Sequence, residues 1–463
     1  MSVSEPRPAK SARLSNLAIW GLIVVLGLLF AALTVYQVLG RNRSAVNQDL
    51  LKELTDAVLV PPAVPPEAPD WPQWRGPSRD GVSTETGLLA EWPDNGPKKL
   101  WSQKTGAGYS GIVVARGRVF TMVQDGDDEA VVCWDAVTGD ERWRFRYPAH
   151  FSNPYGDGPR STPAIFGDHI YTVGGTGILH CLKAFTDDRA GEKVWRKDLA
   201  EEFGSRQLEW GTTFSPLVDR GYLFIMPGGD KGRSIACLNP ADGKTLWSKL
   251  DDLPSYSSPI AADIDGQRHV VFLTGQRLVG VDPHTGNLLW ELPWGPTATH
   301  APTNITTPLI IHLNIGDYVF LSSGYDKGCA LFKIAKDGDR FRPEQVYHNR
   351  NLRSTFATPV QHGFFLYGFD DVHFTCLDWR TGQQKWKESG YGKGSVTIAD
   401  GKLIVLSDNG TLALAEANTE EYSEISGFEH GRQPSSWTVP VVSNGRLYVR
   451  DKSRIVCYEL RNR

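Results

Sequence analysis

The chain lacks the sequence motifs of most catalytic and metal-binding sites. Its 463 residues contain no Cys-x-x-Cys-His haem motif, no His-x-x-x-His pair, no Gly-x-Ser-x-Gly elbow and no phosphate loop. An attached haem, a clustered zinc site and conventional hydrolase or nucleotide chemistry are therefore not indicated. An excess of charge is also missing, since the formal net charge is -4 and both signs are interspersed. With no basic stripe to hold it, we expect no nucleic-acid partner.

What the chain has in quantity is glycine, proline and aromatic residues. It carries 47 glycines, 29 prolines, 15 tryptophans and 15 tyrosines. This composition is typical of many short strands joined by tight turns. A chain of 463 residues also exceeds what one ordinary core supports, so it consists of several domains or of one repeat architecture. The composition favours the repeat architecture.

The N-terminus carries one long apolar run. Leu17–Tyr36 is uncharged and has about the 20 residues that a helix needs to cross the hydrocarbon core. A short basic tail with Arg7, Lys10 and Arg13 precedes it, which predicts that the tail stays in the cytoplasm and the rest of the chain is exported. A cleaved signal peptide is the alternative, but its hydrophobic region is shorter and ends in a small-x-small site.

These features divide the chain into four segments. We expect a cytoplasmic tail over residues 1–16, a single transmembrane helix over 17–39, a proline-rich linker over 40–70 and a repeat domain over 71–463, in the periplasm or otherwise outside the cytoplasm. Within and just after the linker, Asn47–Val60 is predicted to form a short amphipathic helix and Pro61–Pro72 a semi-rigid spacer. Together they would stand the repeat domain off the membrane.

A small residue, a glycine-containing turn and a tryptophan recur along the repeat domain. The copies are CWDAVTGDERW from Cys133, CLKAFTDDRAGEKVW from Cys181, CLNPADGKTLW from Cys237, GVDPHTGNLLW from Gly280 and CLDWRTGQQKW from Cys376. Glycine supplies the positive φ that the turn needs, and the short spacing is that of a hairpin. The tryptophan therefore sits early on the strand that leaves each hairpin.

A second element precedes each hairpin: a small residue, often with proline, opens a buried strand that is followed by a turn and another strand. The two elements together make four strands, the content of one propeller blade. The innermost strands are predicted at Ser110, Ser161, Phe214, Ser257, Ile305, Phe356, Ser395 and Ser436. This count predicts an all-β, eight-bladed β-propeller, and seven blades stay open because the repeats from Ile305 and Ser395 lack the tryptophan.

The two ends of the repeat domain are complementary. The last repeat stops at RIVCYEL, before any hairpin and tryptophan, whereas the first opens with an isolated strand, KKLWSQKTG, around Trp101. Pairing of these strands closes the ring and leaves no open sheet edge.

The repeats resemble the PQQ-like repeats of bacterial quinoprotein propellers, whose blades carry a tryptophan docking motif with the same hairpin glycine. The resemblance covers about Trp71 to the C-terminus. The opening DWPQWRGPSRDGVS and the loop NPYGDGPRSTP further resemble a group of exported PQQ-like propeller proteins typical of planctomycete-type bacteria. In the repeat family each tryptophan packs between adjacent blades. The resemblance implies this structural role for Trp101, Trp143, Trp195, Trp247, Trp290 and Trp386.

Three functional classes share this fold: quinone-dependent alcohol and sugar dehydrogenases, the outer-membrane assembly scaffold BamB, and sensor or binding modules. The dehydrogenases use Ca²⁺ and pyrroloquinoline quinone (PQQ), and many carry a ring made by two adjacent cysteines. No adjacent pair exists here, because Cys133, Cys181, Cys237, Cys329, Cys376 and Cys457 fall in different repeats. We expect them on separate blades, beyond the roughly 7 Å that a disulfide spans, as small buried residues.

The loops before the inner strands converge on the central funnel and carry the candidate cofactor-binding residues. These are Arg160, Glu209, Trp210, Tyr256, Arg353 and Lys393. Cations and an aromatic plate suit a flat tricarboxylate such as PQQ. Glu209 is a candidate Ca²⁺ ligand, although one carboxylate does not make a site of six to eight oxygens. The alternative is that these residues satisfy loop backbone and neighbouring blades, and no metal site or catalytic residue is predicted.

Two functions stay open. The first, favoured by an intact fold with an incomplete redox site, is a non-enzymatic membrane-anchored scaffold that binds other envelope proteins, broadly as BamB does. BamB is a lipoprotein, however, and this chain has a predicted transmembrane anchor. The second is a membrane-anchored dehydrogenase of alcohols or sugars with PQQ and calcium as its cofactors.

Overall fold

The computed structural model describes residues 46–60, 70–186, 188–295, 304–431 and 437–462. The predicted cytoplasmic tail and transmembrane helix lie outside these residues, as do most of Pro61–Pro72 and the strand start at Ser436. No helix within the described ranges is long and apolar enough to cross a membrane. All elements below belong to the compact unit Asn47–Arg463.

The strands of the described residues form eight four-stranded antiparallel sheets, which confirms an all-β, eight-bladed propeller. Blades 1 to 4 are β2 (Val113–Ala115), β3 (Arg118–Asp125), β4 (Asp128–Asp135) and β5 (Glu141–Pro148); β6 (Ala164–Phe166), β7 (His169–Val173), β8 (Ile178–Lys183) and β9 (Lys193–Asp198); β10 (Leu217–Asp219), β11 (Tyr222–Ile225), β12 (Ile235–Leu238) and β13 (Thr245–Lys249); and β14 (Ile260–Ile264), β15 (Gln267–Leu273), β16 (Arg277–Val281) and β17 (Leu288–Pro293).

Blades 5 to 8 follow in the same order around the ring. They are β18 (Leu309–Leu313), β19 (Gly316–Ser323), β20 (Gly328–Asp337) and β21 (Arg340–Asn349); β22 (Val360–His362), β23 (Phe365–Asp370), β24 (His373–Asp378) and β25 (Gln383–Glu388); β26 (Ser395–Ala399), β27 (Lys402–Leu406), β28 (Thr411–Glu416) and β29 (Glu424–Glu429); and β30 (Val441–Ser443), β31 (Arg446–Arg450) and β32 (Arg454–Glu459), completed by β1 (Lys99–Lys104). Two short helices, α1 (Gln48–Glu53) and α2 (Leu199–Phe203), lie outside the sheets.

The ring closes between the chain ends. Strand β1 pairs with β32, and Trp101 lies opposite Cys457 in the position that Trp143 takes opposite Cys133 in blade 1. The N-terminal strand therefore supplies the outermost strand of blade 8, as the complementary ends predicted. All six cysteines are buried and unpaired.

Most blades place one aromatic side chain against the next blade. In blade 3, the Trp247 indole N–H donates to the Pro283 carbonyl oxygen of blade 4 at 2.9 Å. The same bond to the following blade is made by Trp101, Trp143, Trp195 and Trp386. Trp290 differs, since its indole N–H donates to His269 Nδ1 of its own blade. Aromatic burial with a satisfied N–H holds neighbouring blades together.

The two repeats without the tryptophan still form complete blades. In blade 5, Tyr347 takes its place opposite Leu331, and the Tyr347 hydroxyl donates to the Trp379 carbonyl of blade 6. In blade 7 the position is Ser426, whose Oγ accepts the Trp92 backbone N–H at 3.0 Å. A different polar group thus occupies the position of the tryptophan in each of these blades. Because both repeats form complete four-stranded sheets, the blade count is eight.

The inner edges of the blades are linked by hydroxyl groups. Ser215 Oγ accepts the Thr162 backbone N–H of blade 2 at 2.9 Å, and Ser258 Oγ accepts the Ser215 N–H at the same distance. Of the residues predicted to open the inner strands, Ser110 and Ser257 belong to this hydroxyl belt, because their hydroxyl groups donate to backbone carbonyls of the next blade. Phe214 and Phe356 have no hydroxyl group. All but one of the inner strands begin three to five residues after the predicted residue, for example at Val113 and Leu309, whereas β26 begins at Ser395 as predicted.

The described part of the linker is docked on blade 5. Helix α1 begins after Asn47, whose side chain accepts the Leu50 backbone N–H, and is shorter than the predicted helix. Leu50 and Leu54 are buried against residues of blades 5 and 6. Val60 N–H then donates to the His312 carbonyl at 2.9 Å. Apolar contact and backbone bonds therefore fix this stretch to the ring.

Candidate functional site

The loops that enter the inner strands gather at one end of the ring, which we call the mouth. The turns between second and third strands lie at the same end, because neighbouring strands of a blade are antiparallel. The opposite end, which we call the far end, carries the turns between first and second strands. It also carries the hairpins between third and fourth strands, whose carbonyls accept the tryptophan N–H groups. All six candidate residues lie at the mouth. Aromatic side chains near them form what we call the mouth rim: Tyr109, Tyr155, Trp210, Tyr256, Tyr325, Phe356 and Trp437.

The structure brings Trp210 and Tyr256 together. Their rings stack with centroids 4.8 Å apart and an interplanar angle of 30°. The Tyr256 hydroxyl also accepts the Trp210 backbone N–H at 3.4 Å, and Tyr155 meets Trp210 edge-on at 6.3 Å. Burial raises the pKa of Tyr256. An aromatic plate is therefore present, formed between blades 3 and 4.

Arg160 is held within its own loop. Its guanidinium donates to Asn153 Oδ1 at 3.1 Å, to Gly156 O at 2.6 Å and to the Gly158 carbonyl. It also lies over the Phe151 ring at 4.6 Å. Burial lowers the pKa of Arg160 to about 10, which still leaves it charged at neutral pH. The side chain fixes the loop between blades 1 and 2.

The other two candidate cations are paired with aspartates. Arg353 binds Asp370 through Nε at 2.7 Å and Nη2 at 3.0 Å, a bidentate contact, and Lys387 reaches the same carboxylate at 2.6 Å. Lys393 lies 3.3 Å from Asp371. Arg353 and Lys393 therefore already have anionic partners on blade 6.

Glu209 stands apart from the other candidates. It is exposed, and its backbone carbonyl, not its carboxylate, accepts Asn153 Nδ2 at 3.2 Å. Among the described residues no group of three or more His, Cys, Asp or Glu side chains is placed to hold a metal ion. Calcium needs six to eight oxygens, so Glu209 does not supply a site here.

These residues do not fit a bound tricarboxylate quinone with calcium. Such a cofactor needs cations that are available to its carboxylates, whereas Arg160, Arg353 and Lys393 have protein partners. Moving Arg353 to a ligand would take the bidentate partner from Asp370, which is buried, and leave that carboxylate with Lys387 alone. Removing one partner from a buried ion pair is destabilising. No redox step follows from this arrangement.

Five members of the mouth rim were not among the candidate residues, and three of these five form one stack. Trp437 stacks between Phe356, at 4.8 Å and 17°, and Tyr109, at 5.1 Å and 24°. All three occupy the register of Arg160 and Tyr256, immediately before the hydroxyl belt of their blades. Aligning the eight repeats on the belt would have found them, because one position supplies a large side chain to the mouth in five blades.

Comparison with known proteins places the propeller in a family. The sequence profile of the family described as outer membrane protein assembly factor BamB matches residues 92–161 and 152–388, which together exceed half of the chain. The chain belongs to this family. Outer membrane protein assembly factor BamB of Shewanella oneidensis is 27% identical over 265 residues, which is 54% of this chain and 62% of that protein. The chain thus matches about three fifths of the length of its BamB relative.

Solved structures show the same fold. The C-terminal WD40 domain of Sif2 matches with a TM-score of 0.50 at 9% identity, over 78% of this chain and 98% of that domain. BamB from Moraxella catarrhalis matches with a TM-score of 0.38 at 14% identity, over 87% of this chain and 99% of that one. At 9% identity the likeness to the Sif2 domain is one of propeller architecture, and the BamB family assignment rests on sequence.

Proposed function

We propose that this BamB-family propeller is a protein-binding scaffold of the cell envelope. The observation that carries the proposal is the mouth rim, where aromatic side chains from around the ring meet at one end. Two cations near them, Arg353 and Lys393, are neutralised by aspartate partners. Aromatic contact area with few unpaired charges is the composition that the centres of protein interfaces favour.

Membership of the BamB family supports the same function in general form. Its relative from Shewanella oneidensis is described as an outer membrane protein assembly factor. An assembly factor works by contact with other proteins. Because the match spans 62% of that relative, the proposal here is a scaffold without a named partner.

We further propose that residues 17–39 anchor the chain in a membrane with the propeller outside the cytoplasm. The support is the sequence, an uncharged run of about 20 residues behind a basic tail. Full-length protein should sediment with membranes after an alkaline carbonate wash. In cells whose outer membrane is permeabilised and whose cytoplasmic membrane is intact, protease added from outside should digest the propeller. Release by carbonate would indicate a cleaved leader instead.

The scaffold is tested by site-specific photo-crosslinking in cells. Tyr155, on the mouth rim, is 52% exposed, and Val137, on a far-end hairpin, is 58% exposed. A photoreactive residue in place of Tyr155 should give a discrete crosslinked product with another envelope protein, and the same residue at Val137 should not. Equal labelling at both positions, or none at either, would contradict docking at the mouth.

A further inference from the structure

A stretch of the chain lies across the far end of the central channel and belongs to no blade. We call residues 71–83 the crossing segment; its sequence, WPQWRGPSRDGVS, is outside the propeller repeat. At one end Trp71 bridges Val114 of blade 1, and at the other Val82 bridges Ile398 of blade 7. Between these bridges Trp74 Nε1 donates to the Thr307 hydroxyl of blade 5 at 3.2 Å. The crossing segment therefore spans the channel from side to side.

Arg75 binds the inner edge of blade 6 through backbone carbonyls. Its Nη1 donates to Thr358 O at 2.6 Å and its Nη2 to Pro359 O at 2.8 Å. Nη2 also donates to Asp80 O within the crossing segment. The guanidinium is buried, and this carbonyl cluster satisfies its N–H groups.

Arg79 makes the equivalent contact with blade 3. Its Nη1 donates to Pro216 O at 3.1 Å and its Nη2 to Ser215 O at 3.2 Å. Nη1 also reaches Gln73 Oε1 at 3.1 Å. Arg79 is as buried as Arg75, since 2% of each residue is exposed.

The two arginines bind the same pair of carbonyls in two copies of the repeat. Thr358–Pro359 and Ser215–Pro216 occupy one register, as the hydroxyl belt shows: Thr307 N–H donates to Thr358 Oγ1 just as Thr162 N–H donates to Ser215 Oγ. The inner strand is the edge of its sheet, so carbonyls there point into the channel without a ladder partner. The Ser/Thr–Pro step recurs at Thr162, Ser258 and Thr307.

The energetics indicate that binding to the channel holds the crossing segment in its conformation. Burial lowers the pKa of Arg75 to about 10 and that of Arg79 to about 9, so water has been exchanged for carbonyl oxygens. Both residues also have left-handed backbone, with φ of 60° and 58°. Non-glycine residues keep such strained φ angles only where contacts with the surrounding structure offset the steric cost.

From these contacts we propose that the carbonyl pair of an inner-edge Ser/Thr–Pro step is a guanidinium-binding site, and that the crossing segment is an arginine peptide ligand that the chain supplies to its own channel. Two such sites, on blades 3 and 6, hold it. The segment closes the far end, so a ligand or partner reaches the channel from the mouth.

The test separates the crossing segment from the ring in the full-length protein. Protease sites are placed within residues 61–69 and in the exposed stretch Thr86–Gly87, with Gly87 itself kept because its φ of 70° favours glycine. After both cuts, a fluorescent peptide that copies residues 70–86 is added. We expect the native segment to co-elute with the ring and to exchange with the labelled peptide.

The competing peptides identify the interaction. A peptide with Arg75→Lys and Arg79→Lys keeps both charges but not the planar fork that bridges two carbonyls, and should compete at least about tenfold more weakly. A Ser78→Ala peptide, altered between the two arginines, should compete like the native sequence. Equal competition by the lysine peptide, or loss of the segment on cleavage with an unchanged melting temperature, would overturn the proposal.

Substitutions in the uncut chain give an independent readout. R75K and R79K should each lower the melting temperature by several degrees, and S78A should not. Equal melting temperatures would again reject guanidinium binding. Neither result bears on the scaffold, whose test is crosslinking at the mouth.

Discussion

Replacing one hairpin glycine measures the contact between two blades separately from the backbone strain of the turn itself. Gly243, in the hairpin between β12 and β13 of blade 3, has φ of 71°, and Trp195 of blade 2 lies over it. A Cβ at this position would be 2.8 Å from Trp195 Cδ2, closer than real Cβ contacts. Gly266, in the hairpin between β14 and β15, has nearly the same φ, 74°, but nothing lies within 4 Å of its Cβ position. The φ angles of the two glycines are therefore alike, and only Gly243 has a tryptophan ring against it.

The expected magnitudes follow from these contacts. Alanine in left-handed backbone costs about 1–2 kcal/mol, and both Gly243→Ala and Gly266→Ala incur this cost. Gly243→Ala adds overpacking against an indole ring that is confined between two blades, which costs a further 1–3 kcal/mol or so. Gly243→Ala should therefore reduce the free energy of unfolding about twice as much as Gly266→Ala.

The measurement is the urea midpoint and melting temperature of the two variants in parallel. A double-mutant cycle with Trp195→Ala isolates the contact, because the extra cost at Gly243 should vanish once the ring is gone. In that background the Gly243→Ala and Gly266→Ala substitutions should have equal effects. Equal effects in the presence of Trp195 would refute the view that the indole confines this turn.

Three further perturbations probe other parts of the ring. Tyr347→Phe removes the hydroxyl donor to the Trp379 carbonyl and should lower the free energy of unfolding by about 1–3 kcal/mol in urea titrations. Trp101→Phe removes the indole N–H donor to the Ala136 carbonyl, where the ring closes, and leaves that oxygen with only the Tyr448 hydroxyl at 3.5 Å, so the expected loss is about 1 kcal/mol. Burial lowers the pKa of His180 to about 3, and those of His269 and His430 to about 4. Below pH 6.5 the unfolded chain binds these protons first, so stability should fall by about 2 kcal/mol per histidine at pH 5, and His180→Phe should reduce that slope in midpoint measurements across pH.

The propeller was predictable because the same short sequence pattern recurs in several copies along the chain. A glycine turn followed by tryptophan fixes hairpin, register and docking together, and the incomplete ends at Trp101 and Cys457 identify the closing strand. Where the tryptophan was lost, the sequence left the blade count open. A tyrosine hydroxyl at Tyr347 and a serine at Ser426 restore a polar contact at that position. Such replacements depend on neighbours distant in sequence, which a repeat pattern does not record.

The site was less predictable, because pattern shows where a side chain enters the funnel but not what it meets. Arg353 and Lys393 read as free cations until the turn of blade 6 places Asp370 and Asp371 beside them. The stacking of Trp210 on Tyr256 likewise depends on two loops that are 46 residues apart. Partners contributed by separate loops decide whether a charge is available to a ligand.

Taken together, the mouth and the far end derive from one short element of the repeat. In blade 6, Phe356 contributes a ring to the mouth rim, and Thr358 and Pro359, two and three residues later, give Arg75 its carbonyls. The Phe356 side chain lies at the mouth, whereas the Thr358 and Pro359 carbonyls face the channel. Substitution of the side chain at Phe356 should therefore alter what docks at the mouth and leave the crossing segment bound, because backbone carbonyls do not change with the side chain. The two ends of the channel can vary independently on the same architecture.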